Sequence, residues 1–374
     1  MMTGFQLTRI DCWMYREISD AFIDAIGETG VPEVFVQNAR SVVFREKTSR
    51  LSRRNKLTLE DSPISFFSFH VPSDYSLKVL SFIADKADLS FPGRGSVLSV
   101  PVTVYRKTPP VFDEKKLENL PQSNVMPFKD LRGLVAIVTR GEGNDLAKAI
   151  LQTGRALPIV TFGTGMGLRD KLGLLRITIS AEKEIVQTVV SSHDADANFD
   201  RMVDAANLDY PGKGFLFSYP ISAAVLDTKM IRGRAFYLAS MEQIVSAIDT
   251  MKGHSEWRRN SPFAKKVLEM FEKPSAWENL RIISREGVGY EKTRATMNLG
   301  AGGATQSRLR LFEPASGTDR TVSHEREINE LIINSETREK ILAAIEPDED
   351  IFELSSVERI SAFRAVKKES RARK

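Results

Sequence analysis

Apolar positions along this chain gather in short runs whose spacing switches between strand-like and helix-like, and the switching returns in one order. The β-rich runs Ile10–Tyr15, Leu134–Val138 and Leu280–Ile283 predict strands. Behind the first two, apolar residues fall at helical spacing, as Ile18, Phe22, Ala25 and Ile26 and then as Leu146, Ala149 and Ile150. Glycine follows each helix and ends it, because it enters the left-handed conformation of a helix C-terminus without steric cost. Further β-rich runs come next at Val31–Phe44, Ala156–Phe162 and Gly303–Phe312, and after a polar loop a third set at Ile64–Val71, Leu174–Ile179 and Ile328–Ile333. A second helix is clearest over Ser73–Ala84, with Ser73 in the cap position, and over Ser335–Ile345, striped by Ile341, Leu342 and Ile345. Closing strands are predicted at Val97–Tyr105, Phe215–Ile221 and Ile351–Phe363. The predicted order is β-α-β-β-α-β, repeated in three units: an α+β chain of split βαβ, or ferredoxin-like, arrangement.

Self-similarity supports the repetition. Leu89-Ser-Phe-Pro-Gly-Arg-Gly-Ser-Val-Leu-Ser-Val-Pro-Val102 matches Leu208-Asp-Tyr-Pro-Gly-Lys-Gly-Phe-Leu-Phe-Ser-Tyr-Pro-Ile221 with six identities in fourteen positions at an offset of 119. Composition alone does not place Pro, Gly, a basic residue, Gly, Ser and Pro in one register. A second match links Arg140-Gly141-Glu142-Gly143 to Arg285-Glu286-Gly287-Val288-Gly289, with Gly154 and Gly300 each eleven residues beyond the last of these glycines. The first unit keeps the outline only: Gly30 follows Arg16 by fourteen residues, as Gly154 follows Arg140. The units are expected at 1–106, 131–227 and 279–374, joined by a proline-rich linker at 107–130 and a helical connector at 228–278. In the connector, Ser240 and Gln243 form a capping-box pair, and Ser261-Pro262 opens a second helix.

A chain of 374 residues with 42% hydrophobic and 27% charged content has enough apolar surface for real cores. A surplus of four positive charges makes too weak a field for general nucleic-acid binding. The longest stretch lacking Asp, Glu, Lys and Arg runs to 13 residues, for example Gly214–Leu226. That is short of the roughly 18–20 residues a membrane helix needs. The start of the chain has no apolar secretory core and Cys12 is the single cysteine, so a reducing cytoplasm is expected. Four scattered histidines lack the spacing of a metal site.

Candidate chemistry concentrates in glycine turns. Gly93-Arg94-Gly95 and Gly212-Lys213-Gly214 set backbone N–H groups beside a positive charge, an arrangement that suits phosphate or another anion and that also makes an ordinary turn. The third unit carries Glu346-Pro-Asp-Glu-Asp350 there, which would repel phosphate. Gly163-Thr-Gly165-Met-Gly167 predicts a bending loop that can wrap a ligand. Gly141-Glu-Gly143 is no dinucleotide fingerprint, since Leu146 stands where the third glycine belongs. His193-Asp194-Ala-Asp196 is the only cluster mixing His with carboxylates, and no nucleophile is paired with it, so no catalytic site is predicted. Basic stretches at 45–56 and 364–374 read as a solvated loop and a frayed tail, and Phe66, Phe67 and Phe69 as core.

With these residues in view, the chain resembles the PII signalling protein superfamily. The likeness rests on the element order, the Arg-Gly-Glu-Gly opening of a first helix, and the Gly-Arg-Gly and Gly-Lys-Gly turns before a last strand. The resemblance implies trimeric ferredoxin-like units that bind adenine nucleotides (ATP, ADP or AMP) in clefts between subunits and signal to a protein target through the loop after the second strand. Three units in one chain then imply an intramolecular pseudo-trimer. Residues 93–95 and 212–214 would contact phosphate, and Gly163 and Gly165 would begin the signalling loop. A non-enzymatic sensor is the expectation. A scaffold that has lost the ligands, and an enzyme with a cleft site near His193, stay open as alternatives.

Overall fold

The computed structural model describes residues 4–47, 56–153, 156–166, 182–210, 212–232, 248, 251, 277–314, 324–345 and 349–361. Its first block contains β1 (Gly4–Tyr15), α1 (Ser19–Thr29), β2 (Val34–Lys47), β3 (Lys56–Pro72), α2 (Ser76–Lys86) and β4 (Gly95–Tyr105). A short α3 (Glu114–Asn119) leads to the second block: β5 (Leu131–Thr139), α4 (Gly143–Leu151), β6 (Ile159–Met166), β7 (Glu182–Ser191), α5 (Ala195–Ala205) and β8 (Gly214–Ile221). Two small strands follow, β9 (Ala223–Val225) and β10 (Ile231–Arg232). The third block contains β11 (Trp277–Arg285), α6 (Gly289–Asn298), β12 (Ala304–Phe312), β13 (His324–Asn334), α7 (Ser335–Ala344) and β14 (Ile351–Val357), with β15 (Arg359–Ile360) behind it. The molecule is thus a mixed α/β protein of many strands and, among the described residues, seven α-helices.

Every block has the same antiparallel strand order, second, third, first, fourth: β2-β3-β1-β4, β6-β7-β5-β8 and β12-β13-β11-β14. Two rings of pairing join the blocks. In one, the start of each second strand meets a later part of another: Val34–Val36 of β2 against Arg310–Phe312 of β12, Ala304–Gln306 of β12 against Thr164–Met166 of β6, and Ile159–Val160 of β6 against Arg40–Ser41 of β2. In the other, each fourth strand or its exit crosses a neighbour: Thr103–Tyr105 on β14, Arg359–Ile360 on β8, and Ala223–Val225 on β4. These contacts place strand edges of one block against those of another, where their N–H and C=O groups find partners.

Alternation along the strands gives the sheets two buried faces. In β1, Ile10, Cys12 and Met14 point to the helices, where Phe22, Ile26, Leu80 and Ile83 are buried with them. Leu7 and Trp13 point the other way, into a core shared with Val135 and Phe217 of the second block and Ile283 and Ile328 of the third. Gly30 ends α1 in the left-handed conformation at φ 75°, and Gly300 follows α6 at φ 116°.

Some expectations shift. The third strand of the second block is β7; Leu174–Ile179 lies outside the described residues. Residues 195–205 form α5 and bury Asn198, Phe199, Met202 and Val203. Ser73 opens a 3-10 turn and caps nothing with its side chain; the α-helix begins at Ser76. The linker is packed down: Asp113 caps α3 through Lys116 N–H, Leu117 and Leu120 are buried, and Asp113 N–H donates to Gly30 O at 3.2 Å. Gly154, residues 48–55, nearly all of the connector helices and the 364–374 tail lie outside the described residues.

Candidate ligand site at the joints between blocks

Both glycine turns are built by steric necessity at their second glycine. Gly95 has φ 137°, and a Cβ there would lie 2.1 Å from Trp13 O; Gly214 has φ 122°, and its Cβ would lie 2.0 Å from Ile137 O. The fourth strand thus lies so close to the first that only glycine fits. The basic residues between the glycines are engaged. Arg94 Nε donates to Ala87 O at 2.8 Å, holding the end of α2, and its guanidinium lies 3.6 Å from Asp88. Lys213 Nζ is 2.8 Å from Glu142 Oε1, in the loop that opens α4.

At the joint of the first and second blocks the chain supplies its own anion. Gly93 N–H donates to Asp227 Oδ1 at 2.8 Å, and Lys229 N–H donates to the same oxygen at 2.9 Å. Asp227 N–H donates to Ser96 Oγ at 2.7 Å. Burial pushes the Asp227 carboxyl up, against the two N–H donors and the nearby Lys229 and Arg232. A small cavity with room for about one water lies beside it, lined by Trp13, Ser96, Leu157 and Asp227 among others. Trp13 Nε1 and Asp227 Oδ2 are buried there without hydrogen-bond partners among the described residues.

The Gly-x-Gly motif at the first helix has a different cause, which sequence reading missed. Gly141 and Gly143 N–H donate to Glu184 Oε2 at 3.0 and 2.8 Å, and Gly289 N–H donates to Glu327 Oε2 at 3.0 Å. A Cβ on Gly143 or Gly289 would lie 2.6 Å from that carboxylate oxygen. A glutamate on the third strand therefore caps the helix, and glycine makes room for it. Arg40 of the first block reaches Glu184 Oε1 at 3.2 Å, tying this cap to the joint. Glu184 and Glu327 sit opposite Val138 and Ser284 on the first strands, so a shared register was the signal available.

No protein-family model matches the chain, and no curated protein matches it. Among solved structures it is similar to GlnK of B. subtilis, determined as an ATP complex. The identity is 13%, the match covers 27% of this chain and 88% of that one, and the TM-score is 0.23.

The remaining predicted residues are placed as follows. Gly163 and Gly165 lie within β6 and not in a loop, where the strand meets β12, and a Gly163 Cβ would lie 2.9 Å from Gln306 O. Close approach of two blocks accounts for Gly163. Gly212, at φ 84°, is exposed in its turn. Of the acidic stretch 346–350, the described Glu349 and Asp350 pair with Arg285 and Lys292. His193 is exposed and bonds Ser191 only through its backbone N–H, while Asp196 and Asp200 hold Arg359 at 2.6 and 2.9 Å. No group of His, Cys, Asp and Glu suited to a metal ion occurs among the described residues, and no helix there is long and apolar enough to cross a membrane.

A second polar cluster, unforeseen from sequence, lies where the three sheets meet. Arg9 Nε is 2.8 Å from Asp11 Oδ2, and its guanidinium also contacts Glu353. Glu353 accepts from Arg281 Nη1 at 3.0 Å and lies 2.7 Å from His70 Nε2. Arg281 Nε lies 3.3 Å from Glu330 Oε1. Burial would raise Glu353, but Arg281, Arg9 and His70 hold it well below the usual carboxylate range. Burial pushes Glu330 up, although Arg281 and Arg9 oppose it.

Proposed function

We propose that the three blocks are tandem ferredoxin-like, PII-like units closed into an intramolecular pseudo-trimer, and that the chain serves as a non-catalytic cytoplasmic scaffold for a protein target. The two rings of strand pairing support the pseudo-trimer, with units at 1–106, 131–227 and 279–374. One observation favours a scaffold over a nucleotide receptor: Asp227 already occupies the Gly93 amide, the N–H that a phosphate oxygen would need. An acidic group in that position repels a second anion. Titration calorimetry of the full chain with ATP, ADP and AMP tests the reading. No saturable heat is expected; micromolar binding of any of the three would overturn it.

The sensor reading draws on the second glycine turn. The Lys213–Glu142 pair is open to solvent, with side chains 47% and 31% exposed. Exposed pairs contribute only about 0–1 kcal/mol, so a nucleotide phosphate can displace Glu142 from Lys213. Under this reading Arg94 and Lys213 contact phosphate at different joints. Nucleotide binding abolished by Lys213→Ala would favour it.

A further inference from the structure

We propose that α6 is a hinged lid on the third block. It swings about its first turn and lifts from the sheet under native conditions, whereas its counterpart in the second block, α4, stays down.

The two helices correspond residue by residue, because each opens at a glycine whose N–H donates to the third-strand glutamate. Counting from Gly143, α4 buries Leu146, Ala147, Ile150 and Leu151. Counting from Gly289, the same places in α6 hold Lys292, Thr293, Thr296 and Met297. The sheet beneath changes in step. Val138 and Val186 share the apolar cluster of α4. Their counterparts, fixed by the pairing of Val138 with Glu184 and of Ser284 with Glu327, are Ser284 and Asn329. An apolar seam in one block is thus a polar seam in the next, although Ser284, Thr293, Thr296 and Asn329 are all buried.

The polar seam is poorly satisfied when closed. Thr296 Oγ1 donates to Thr293 O at 2.7 Å, but Ser284 Oγ, Thr293 Oγ1 and both polar atoms of the Asn329 side chain have no partner among the described residues. Closing a helix over such atoms strips their water and returns no bond, and lifting it hydrates them again. Little apolar contact offsets this, since Met297 and Leu299 are only partly buried against the third-block core. Support from the second helix is also missing. α1 packs on α2 and α4 on α5, while α6 and α7 form no such pair. An element with so few buried apolar contacts belongs to the low-stability end of a fold.

The lid has a pivot and a hinge. Its two anchors, Gly289 N–H on Glu327 and Lys292 on Asp350, both lie in the first turn. Beyond its other end, Gly302 lies outside the left-handed region and has open space where a Cβ would point. No steric demand calls for glycine there, so what glycine adds is backbone freedom.

Native-state hydrogen exchange of the full chain tests the lid. In the wild type the amides of 293–298 should be at least about tenfold less protected than those of 147–151, with a weaker urea dependence, because local opening exposes less surface than global unfolding. Equal protection of the two helices, or equal urea dependence, overturns the proposal. Ser284→Val/Thr293→Ala/Asn329→Val installs the second-block residues in the seam and should raise α6 protection at least about tenfold. If that variant folds and α6 protection stays at the wild-type level, the seam does not drive opening and the proposal is wrong. Should it not fold, Asn329→Val is measured in its place and read in the same way.

Discussion

Glu353 is the residue on which the centre of the molecule depends. It contacts two arginines and a histidine contributed by two blocks, all buried. Removing it leaves Arg9 and Arg281 without their shared carboxylate, so Glu353→Ala should cost about 3–5 kcal/mol in urea unfolding. Its pH dependence has a definite sign. The Glu353 carboxyl is held below its ordinary value, so its contribution is complete at neutral pH and is lost as the pH falls through its folded pKa. Glu330 is raised, so it acts in the opposite sense: stability is lost as the pH rises from the ordinary carboxylate value through the folded one. Unfolding free energy measured against pH should therefore decline steeply in acid for the wild type, with the acid limb flattened in Glu353→Gln. At Gly214, the positive φ and the approach of Ile137 O leave no room for a methyl group. Gly214→Ala should lower stability by at least about 2 kcal/mol, whereas a site important only for anion contact would tolerate the change.

Among the elements, the first helices of the second and third blocks share a cap that comes from another strand. Glu184→Ala removes the acceptor of two N–H groups and one of the partners of Arg40. Thermal unfolding should report a loss of about 1–2 kcal/mol, with amide exchange rising first at 141–145. The third block departs from the second two residues beyond this cap. Asn329 stands where Val186 does, fully buried, and both of its side-chain polar atoms lack partners among the described residues, as do Ser284 Oγ and Thr293 Oγ1 nearby. Replacing an unsatisfied polar group by an apolar one of similar shape is neutral or stabilising. Asn329→Val is thus expected to leave the melting temperature unchanged or raise it, and a clear fall would show that bound water satisfies the amide. The helix least visible in the sequence, α5, carries Asp196, Asn198, Asp200 and Asp204 around a narrow stripe of Phe199, Met202 and Val203. Its interspersed polar residues hid the periodicity, although Phe199 and Met202 lie one turn apart.

At the scale of the whole chain, the inward faces of the three sheets are buried against one another, with Phe112, Phe128 and Leu226 packed on them. Residues 131–227 taken alone would expose Leu131, Val135, Ile137, Val189 and Phe217 to water. That fragment should bind hydrophobic dyes and lack dispersed amide resonances, while the full chain unfolds in one cooperative transition. A sharply melting, monomeric fragment would argue against mutual dependence of the blocks.

Element order, the repeat of the Pro-Gly-basic-Gly turn, and the glycines that follow α1 and α6 were legible in the residues, because periodicity and backbone permissiveness are local properties. Which groups meet was not. Gly93 and Asp227 stand 134 positions apart, and Arg9 and Glu353 stand 344 apart. Nothing local to either member announces its partner, since a carboxylate reads alike on a solvated loop and on a buried amide. Gly163 shows the same limit: a glycine-rich stretch says that a side chain is excluded, and only packing of the blocks reveals that a neighbouring strand lies where its Cβ would be. Long-range burial assigned each charge its partner, because the dielectric environment and the opposing groups arise when distant segments come together.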